Sequence, residues 1–171
     1  MDFTSDTYLI AQLFGLIGML VAIFSQQFKG RKPILLCFIV ANLLNAIHFF
    51  LLSAMTGVVL AVIGAVRFFV SMFSIKKAWL VFFLIVNTLV LPFVFEGWLL
   101  SGTAYLAATF IIISTFLESD HAMRIAIIIG ASGWLLYGVL IESIIEVVAN
   151  AFFLISSILG WYRHVYSAKK A

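Results

Sequence analysis

YLIAQLFGLIGMLVAIFSQQF, residues 8–28, is an uncharged run that Lys29, Arg31 and Lys32 follow at once. About 20 apolar residues cross a bilayer core of roughly 30 Å, so this run is long enough to span a membrane and ends on basic residues. Six further apolar stretches follow, at 33–53, 57–75, 78–95, 99–117, 125–141 and 144–162. Lys76 and Lys77 follow the third and Arg124 follows the fifth, while Arg163, Lys169 and Lys170 close the chain. The alternate linkers hold only acids: Asp2 and Asp6 at the N-terminus, Glu96 after the fourth stretch and Glu142 after the sixth. Basic residues are retained on the cytoplasmic side. The pattern predicts an all-α polytopic membrane protein of seven transmembrane helices, N-terminus outside and C-terminus cytoplasmic. Helices are required because a span in lipid must satisfy its own backbone hydrogen bonds.

The chain is 65% hydrophobic and 10% charged, whereas a soluble domain is roughly half apolar and a quarter charged. Seven spans leave almost nothing of 171 residues for a soluble domain, so function belongs inside the bundle or at its mouths. The net charge of +3 follows from the topology signal and does not point to nucleic acid. Cys37 lies within the second stretch and reads as a small apolar residue without metal-ligating companions. The start lacks a basic n-region, so the first helix is expected to insert uncleaved. Tyr8, Trp79, Trp98, Trp161 and Tyr162 fall near span ends, as an interfacial aromatic belt should.

A shift of 89 residues lays the first three stretches on the last three without a gap. His48 meets Tyr137, Ser25 meets Ser114, and Val58–Val59 meet Val147–Val148. The fourth stretch has no counterpart. This gives a 3+1+3 plan: residues 1–77 as a first three-helix repeat, 78–98 as a linker helix and 99–171 as a second repeat, all within one integral membrane domain. An odd linking helix lets both repeats face the membrane the same way, as parallel repeats do.

The second repeat carries Trp134-Leu-Leu-Tyr137-Gly138 and, sixteen residues after the tryptophan, Asn150. Here the chain resembles the SWEET and SemiSWEET sugar transporters and the wider PQ-loop superfamily. The resemblance implies that Trp134 and Asn150 line a substrate pocket and that Tyr137 belongs to an extracellular gate. The first repeat departs from the pattern, with Asn45, His48 and Ala61 at the corresponding positions. The Pro-Gln pair appears as Ser25-Gln26 and as Ser114-Thr115, so the helix-loosening proline is absent from both places. This mixed pattern, with Phe-Ser-Gln-Gln-Phe-Lys-Gly at 24–30, resembles the YgjV-type bacterial inner-membrane proteins. By the same correspondence Asn45 joins the pocket, and His48 and Gln26 join the gate.

Nine residues from the basic edge is about 13 Å, near the midplane. Asn42, Arg67, Asn87, Thr109 and Trp134 all lie near that depth. Polar groups in lipid are costly and face a bundle interior or a wet cavity. Asn42 and Arg67 are therefore candidate substrate-binding residues. The bland alternatives are interhelical hydrogen bonding for Asn42 and Asn87, packing for Trp134, and a structural role for His48. An unpaired guanidinium at the depth of Arg67 costs at least about 2.5–3.5 kcal/mol, so it needs a partner: Asn42, Asn87, a backbone carbonyl or a bound anion. Glu146 lies about ten residues nearer the outside, roughly 15 Å along the axis, too far for a direct pair with Arg67. Glu142, Glu146, Asn150 and Ser157 form one stripe on the seventh helix. Glu146, a turn deeper than Glu142, is the candidate proton site.

These features predict a carrier of a small polar solute working by alternating access, with sugar as the first class because tryptophan stacks on a sugar face. An organic-anion or amino-acid carrier using Arg67 and a non-transporting scaffold are the alternatives. No catalytic residue, metal site or cofactor is expected, for there is no histidine–carboxylate cluster and no Cys/His metal spacing. No lysine stands in the seventh stretch to hold a retinal Schiff base. The expected partners are the lipid bilayer and the solute, and one chain with two repeats can function as a monomer.

Overall fold

The computed structural model describes residues 5–25, 28, 31–117 and 119–162. These form seven α-helices: α1 Asp6–Ser25, α2 Arg31–Leu51, α3 Met55–Ser71, α4 Lys77–Val90, α5 Trp98–Phe116, α6 Asp120–Leu140 and α7 Ile144–Trp161. Five helices are long and apolar enough to cross a membrane, and α3 and α7 are shorter apolar helices. Odd-numbered helices begin at the end that carries Glu96 and Glu142, here the glutamate end. Even-numbered ones begin at the opposite end, with Lys76, Lys77 and Arg124, the lysine end.

The helix limits follow local chemistry. Pro33 sits in the first turn of α2, where its missing N–H removes no helical hydrogen bond. Pro92 cannot continue α4, so the expected stretch 78–95 ends instead as a 3₁₀ turn, Leu91–Val94, followed by Gly97 at φ 116°. Helix α6 begins five residues before the apolar stretch at 125, because Ser119 caps it by accepting from the Ala122 N–H.

Large apolar side chains face outward along every helix, among them Leu20, Phe50, Phe69, Leu89, Leu106, Val139 and Phe152. Inside lie Ser25, His48, Thr56, Arg67, Asn87, Ser101, Ser143 and Glu146. This reverses the radial order of a soluble protein and suits a lipid surround. Helices α1–α2–α3 pack consecutively, as do α5–α6–α7; α1 meets α7, α3 meets α5, and α4 rests mainly on α5 and α3. Small residues set the closest approaches. A Cβ on Gly64 would stand 2.6 Å from Asn42 Oδ1, and one on Gly133 would stand 2.7 Å from the Ala107 Cβ.

The α2–α3 and α6–α7 turns have the same geometry. Ser53 (φ 58°) and Glu142 (φ 56°) adopt the left-handed region. The next N–H in each turn returns to a carbonyl five residues back, Ala54 to Phe49 and Ser143 to Gly138, both at 2.9 Å.

The glutamate end is tied together by polar contacts. Glu96 accepts from the N–H groups of Met55 and Thr56, 2.8 Å each, through its two carboxylate oxygens. It thus satisfies two orphan donors of α3 and places a negative charge on the positive end of that helix. Glu96→Ala should lower stability by about 1–2 kcal/mol, read as a drop in the thermal midpoint of the purified protein, with Glu96→Gln losing less. An unchanged midpoint in the alanine variant would mean that the cap is energetically idle.

Candidate functional site

A cavity of about 140 Å³ lies inside the bundle. Its polar lining comes from Asn42 and Asn45 on α2, Arg67 on α3, Asn87 on α4, and Glu146 and Asn150 on α7. Trp134 of α6 and Phe49 of α2 supply its aromatic wall. The two rings stack at 6.0 Å between centroids with planes 12° apart. Asn42, Asn45 and Asn150 are half-buried, whereas Asn87, Arg67 and Glu146 are buried.

Arg67 is 3% exposed. Its Nη1 donates to the Ile111 carbonyl at 2.7 Å and to the Thr115 hydroxyl at 2.5 Å. Its guanidinium lies 4.5 Å from the Phe68 ring centre, and Phe68 stacks on Phe38. These are neutral partners, so the positive charge is solvated by α5 and an aromatic face rather than by an acid. Asn42, expected as a partner, donates instead to the Phe38 carbonyl of its own helix at 2.8 Å. Asn87 donates to Thr109 at 3.0 Å, joining α4 to α5. Among the described residues Arg67 Nε and Asn87 Oδ1 are buried without a hydrogen-bond partner. Buried polar groups are normally paired, and both of these belong to residues that line the cavity.

Glu146 accepts from Asn150 Nδ2 at 2.8 Å, and that amide also reaches the Glu146 carbonyl. A Cβ on Gly138 would stand 3.1 Å from Glu146 Cβ, so α6 and α7 touch at this level. Glu142 is exposed in the turn, and Ser157 bonds to Phe153 of its own helix. Of the acidic and polar stripe on α7, therefore, only Glu146 and Asn150 reach the cavity.

Tyr137 and Phe49 are fully buried at the glutamate end of the cavity. Tyr137 Oη accepts from the Gly57 N–H at 2.9 Å, crossing from α6 to the first turn of α3. His48 makes the reciprocal crossing, from α2 to Ser143, the N-cap of α7. Its Nδ1 lies 2.7 Å from the Ala11 carbonyl and its Nε2 lies 3.0 Å from the Ser143 hydroxyl. A carbonyl only accepts, so Nδ1 carries a proton. Gln12 accepts from the Ile145 N–H at 2.9 Å, and Tyr8 donates to the Glu142 carbonyl at 3.0 Å. His48 is wholly buried in this junction and is not part of the cavity lining. Tyr8, expected in the interfacial belt, is 3% exposed and serves the same junction. Gln26 lies outside the described residues. The sequence alone did not disclose the junction roles of Tyr8, Gln12, Ser143 and the Glu96–Thr56–Ser101 group; only the acids and hydroxyls flanking the turns hinted at them.

A bundle with apolar outer faces, inward polar groups and a central cavity defines a multi-pass helical membrane protein. Residues 9–168 match the Imp-YgjV family, described as a bacterial inner membrane protein, and the chain belongs to that family. It resides in the bacterial inner membrane. No curated protein and no solved structure matches it.

Proposed function

We propose that this protein carries a small polar solute across the inner membrane by alternating access, and that it is not an enzyme. The observation that carries this reading is the cavity inside the bundle, lined from four helices by amides, Arg67 and Glu146 and walled by Trp134. The N-terminus is outside and the C-terminus is cytoplasmic, as the basic residues require. Helices α1–α3 and α5–α7 act as two parallel units joined by α4 in a 3+1+3 plan, related to the SWEET and PQ-loop transporters. Support comes from the turns. Ser53 and Glu142 are 89 residues apart, the offset of the sequence repeat, and so are the hydrogen bonds that flank them. His48 and Tyr137, also 89 apart, each reach across to the other unit.

Trp134, Asn150, Asn45, Asn42 and Arg67 bind the solute, and Tyr137 and His48 close the outer gate. Glu146 is the proton site. Sugar is the first class to try. The guanidinium without an acidic partner favours a second reading, an organic-anion or amino-acid carrier.

Uptake into proteoliposomes, measured over a panel of sugars, amino acids and organic anions, tests the proposal. One class should be taken up, and Trp134→Ala and Asn150→Ala should each reduce its uptake at least tenfold. Full uptake in both variants would remove the solute site from this cavity. No uptake of any class, joined to an absence of ligand-induced stabilisation, would favour a scaffold. Ligand at a hundred times its Kd stabilises the native state by about 2.7 kcal/mol, which a melting curve resolves.

A further inference from the structure

We infer that the cavity is built for an elongated zwitterion, a linear solute with an ammonium at one end and a carboxylate at the other, several bonds apart. This rests on the carrier reading above and names its substrate class.

The cavity lining contains one cation, Arg67, and one carboxyl, Glu146, which is the anion once its proton has left. The hydrogen-bond partners of Arg67 are a carbonyl and a hydroxyl, and that of Glu146 is an amide. Neither charge meets its opposite in the other. The reason is depth. The Tyr137–Gly57 hydrogen bond and the Gly138–Glu146 contact place Glu146 close to the level of Gly57. Arg67 stands ten residues further along α3, roughly 15 Å at 1.5 Å per residue. The two charges therefore stand at opposite ends of one cavity, positive toward the lysine end and negative toward the glutamate end.

Each class of solute meets this arrangement differently. A neutral sugar leaves both charges without a counterion. A simple carboxylate compensates Arg67 but meets ionised Glu146 as a like charge, and a simple amine does the reverse. An α-amino acid carries both charges only a few ångströms apart and reaches one pole. A solute with separated charges compensates both. The roughly 15 Å separates backbone levels and the two side chains reach into it, so an ω-amino acid of several carbons bridges the poles. Arg67, a lining residue without an acidic partner, supplies the cation for its carboxylate. The amides between the poles and the stacked Phe49–Trp134 pair flank its chain.

The test is a thermal-shift titration of the purified protein with glycine, 4-aminobutanoate, 6-aminohexanoate and 8-aminooctanoate, set beside hexanoate, hexylamine, adipate and glucose. Stabilisation should peak at 6-aminohexanoate. Glycine, hexanoate and hexylamine should bind at least tenfold more weakly, and Arg67→Gln and Glu146→Gln should each weaken 6-aminohexanoate at least tenfold. If either variant fails to fold, the length series on the unaltered protein decides alone. Hexanoate binding as tightly as 6-aminohexanoate overturns the inference, as does the absence of a length optimum. Binding of glucose that Trp134→Ala abolishes, with all ω-amino acids inert, overturns it and leaves the carrier reading standing. Silence across every solute, in a protein that melts cooperatively, overturns both.

Discussion

Arg67→Met is expected to give a folded protein that melts close to its parent or above it and no longer binds solute. Two energetic terms oppose each other. A guanidinium at mid-helix depth costs at least about 2.5–3.5 kcal/mol on insertion scales, and its removal relieves that cost. The hydrogen bonds to Ile111 and Thr115 are lost, and bonds from a charged donor contribute about 1.5–3 kcal/mol. Their acceptors are not stranded, because the Thr115 hydroxyl also donates to the Ile111 carbonyl at 2.9 Å. Methionine is long, apolar and adaptable, so it fills the volume against Phe68 and Ile111. Stability should stay within about 1 kcal/mol of the parent or rise, while solute binding falls by at least two orders of magnitude. Paired melting and binding curves read both quantities on one sample. Loss of the cooperative transition would instead make Arg67 a structural tie between α3 and α5.

The second large effect concerns Gly133. A Cβ there would stand 2.7 Å from the Ala107 Cβ, 3.1 Å from its Cα and 3.4 Å from its N. The obstacle is largely backbone, so no rotamer change relieves it, and α5 and α6 must separate. Close helix contact through small residues is what drives association in lipid, where no hydrophobic force draws helices together. Gly133→Leu should therefore cost well over 3 kcal/mol and abolish the monodisperse folded species on size exclusion. Gly133→Ala should retain a melting transition at a lower temperature. An undisturbed leucine variant would show that the α5–α6 spacing is compliant.

Much of this molecule was readable before any coordinates. Hydropathy located all seven helices, because in lipid apolar length is itself the folding signal. The depth count selected Asn42, Arg67, Asn87, Thr109 and Trp134, and the resemblance and the α7 stripe added Asn45, Asn150 and Glu146; all of these but Thr109, which accepts from Asn87 instead, line one cavity. Helix limits were less legible where local chemistry overrode hydropathy, at Pro92 and at the Ser119 cap. What hydropathy cannot supply is rotation and partner. Depth follows from counting along one helix, but whether His48 points into a cavity or into the α1–α7 junction depends on how three helices turn about their axes. Glu96 reads as a topology charge, whereas its carboxylate caps a helix 40 residues earlier in the chain. Tyr8 reads as a membrane anchor, yet its hydroxyl ends on a turn 134 residues away.

The glutamate end of the bundle is fastened across the two halves of the chain. At the glutamate end α1–α3 are held to the remainder through Tyr8, Gln12, His48, Glu96, Thr56 and Tyr137. Further toward the lysine end Arg67 ties α3 to α5. Local opening free energy tracks such contacts. Amides in the first turns of α3 and α7 should therefore exchange slowly, although they lie at helix ends. The glutamate end then serves the molecule as a rivet serves the joint of a pair of tongs: any motion that opens the cavity at that mouth must first break it.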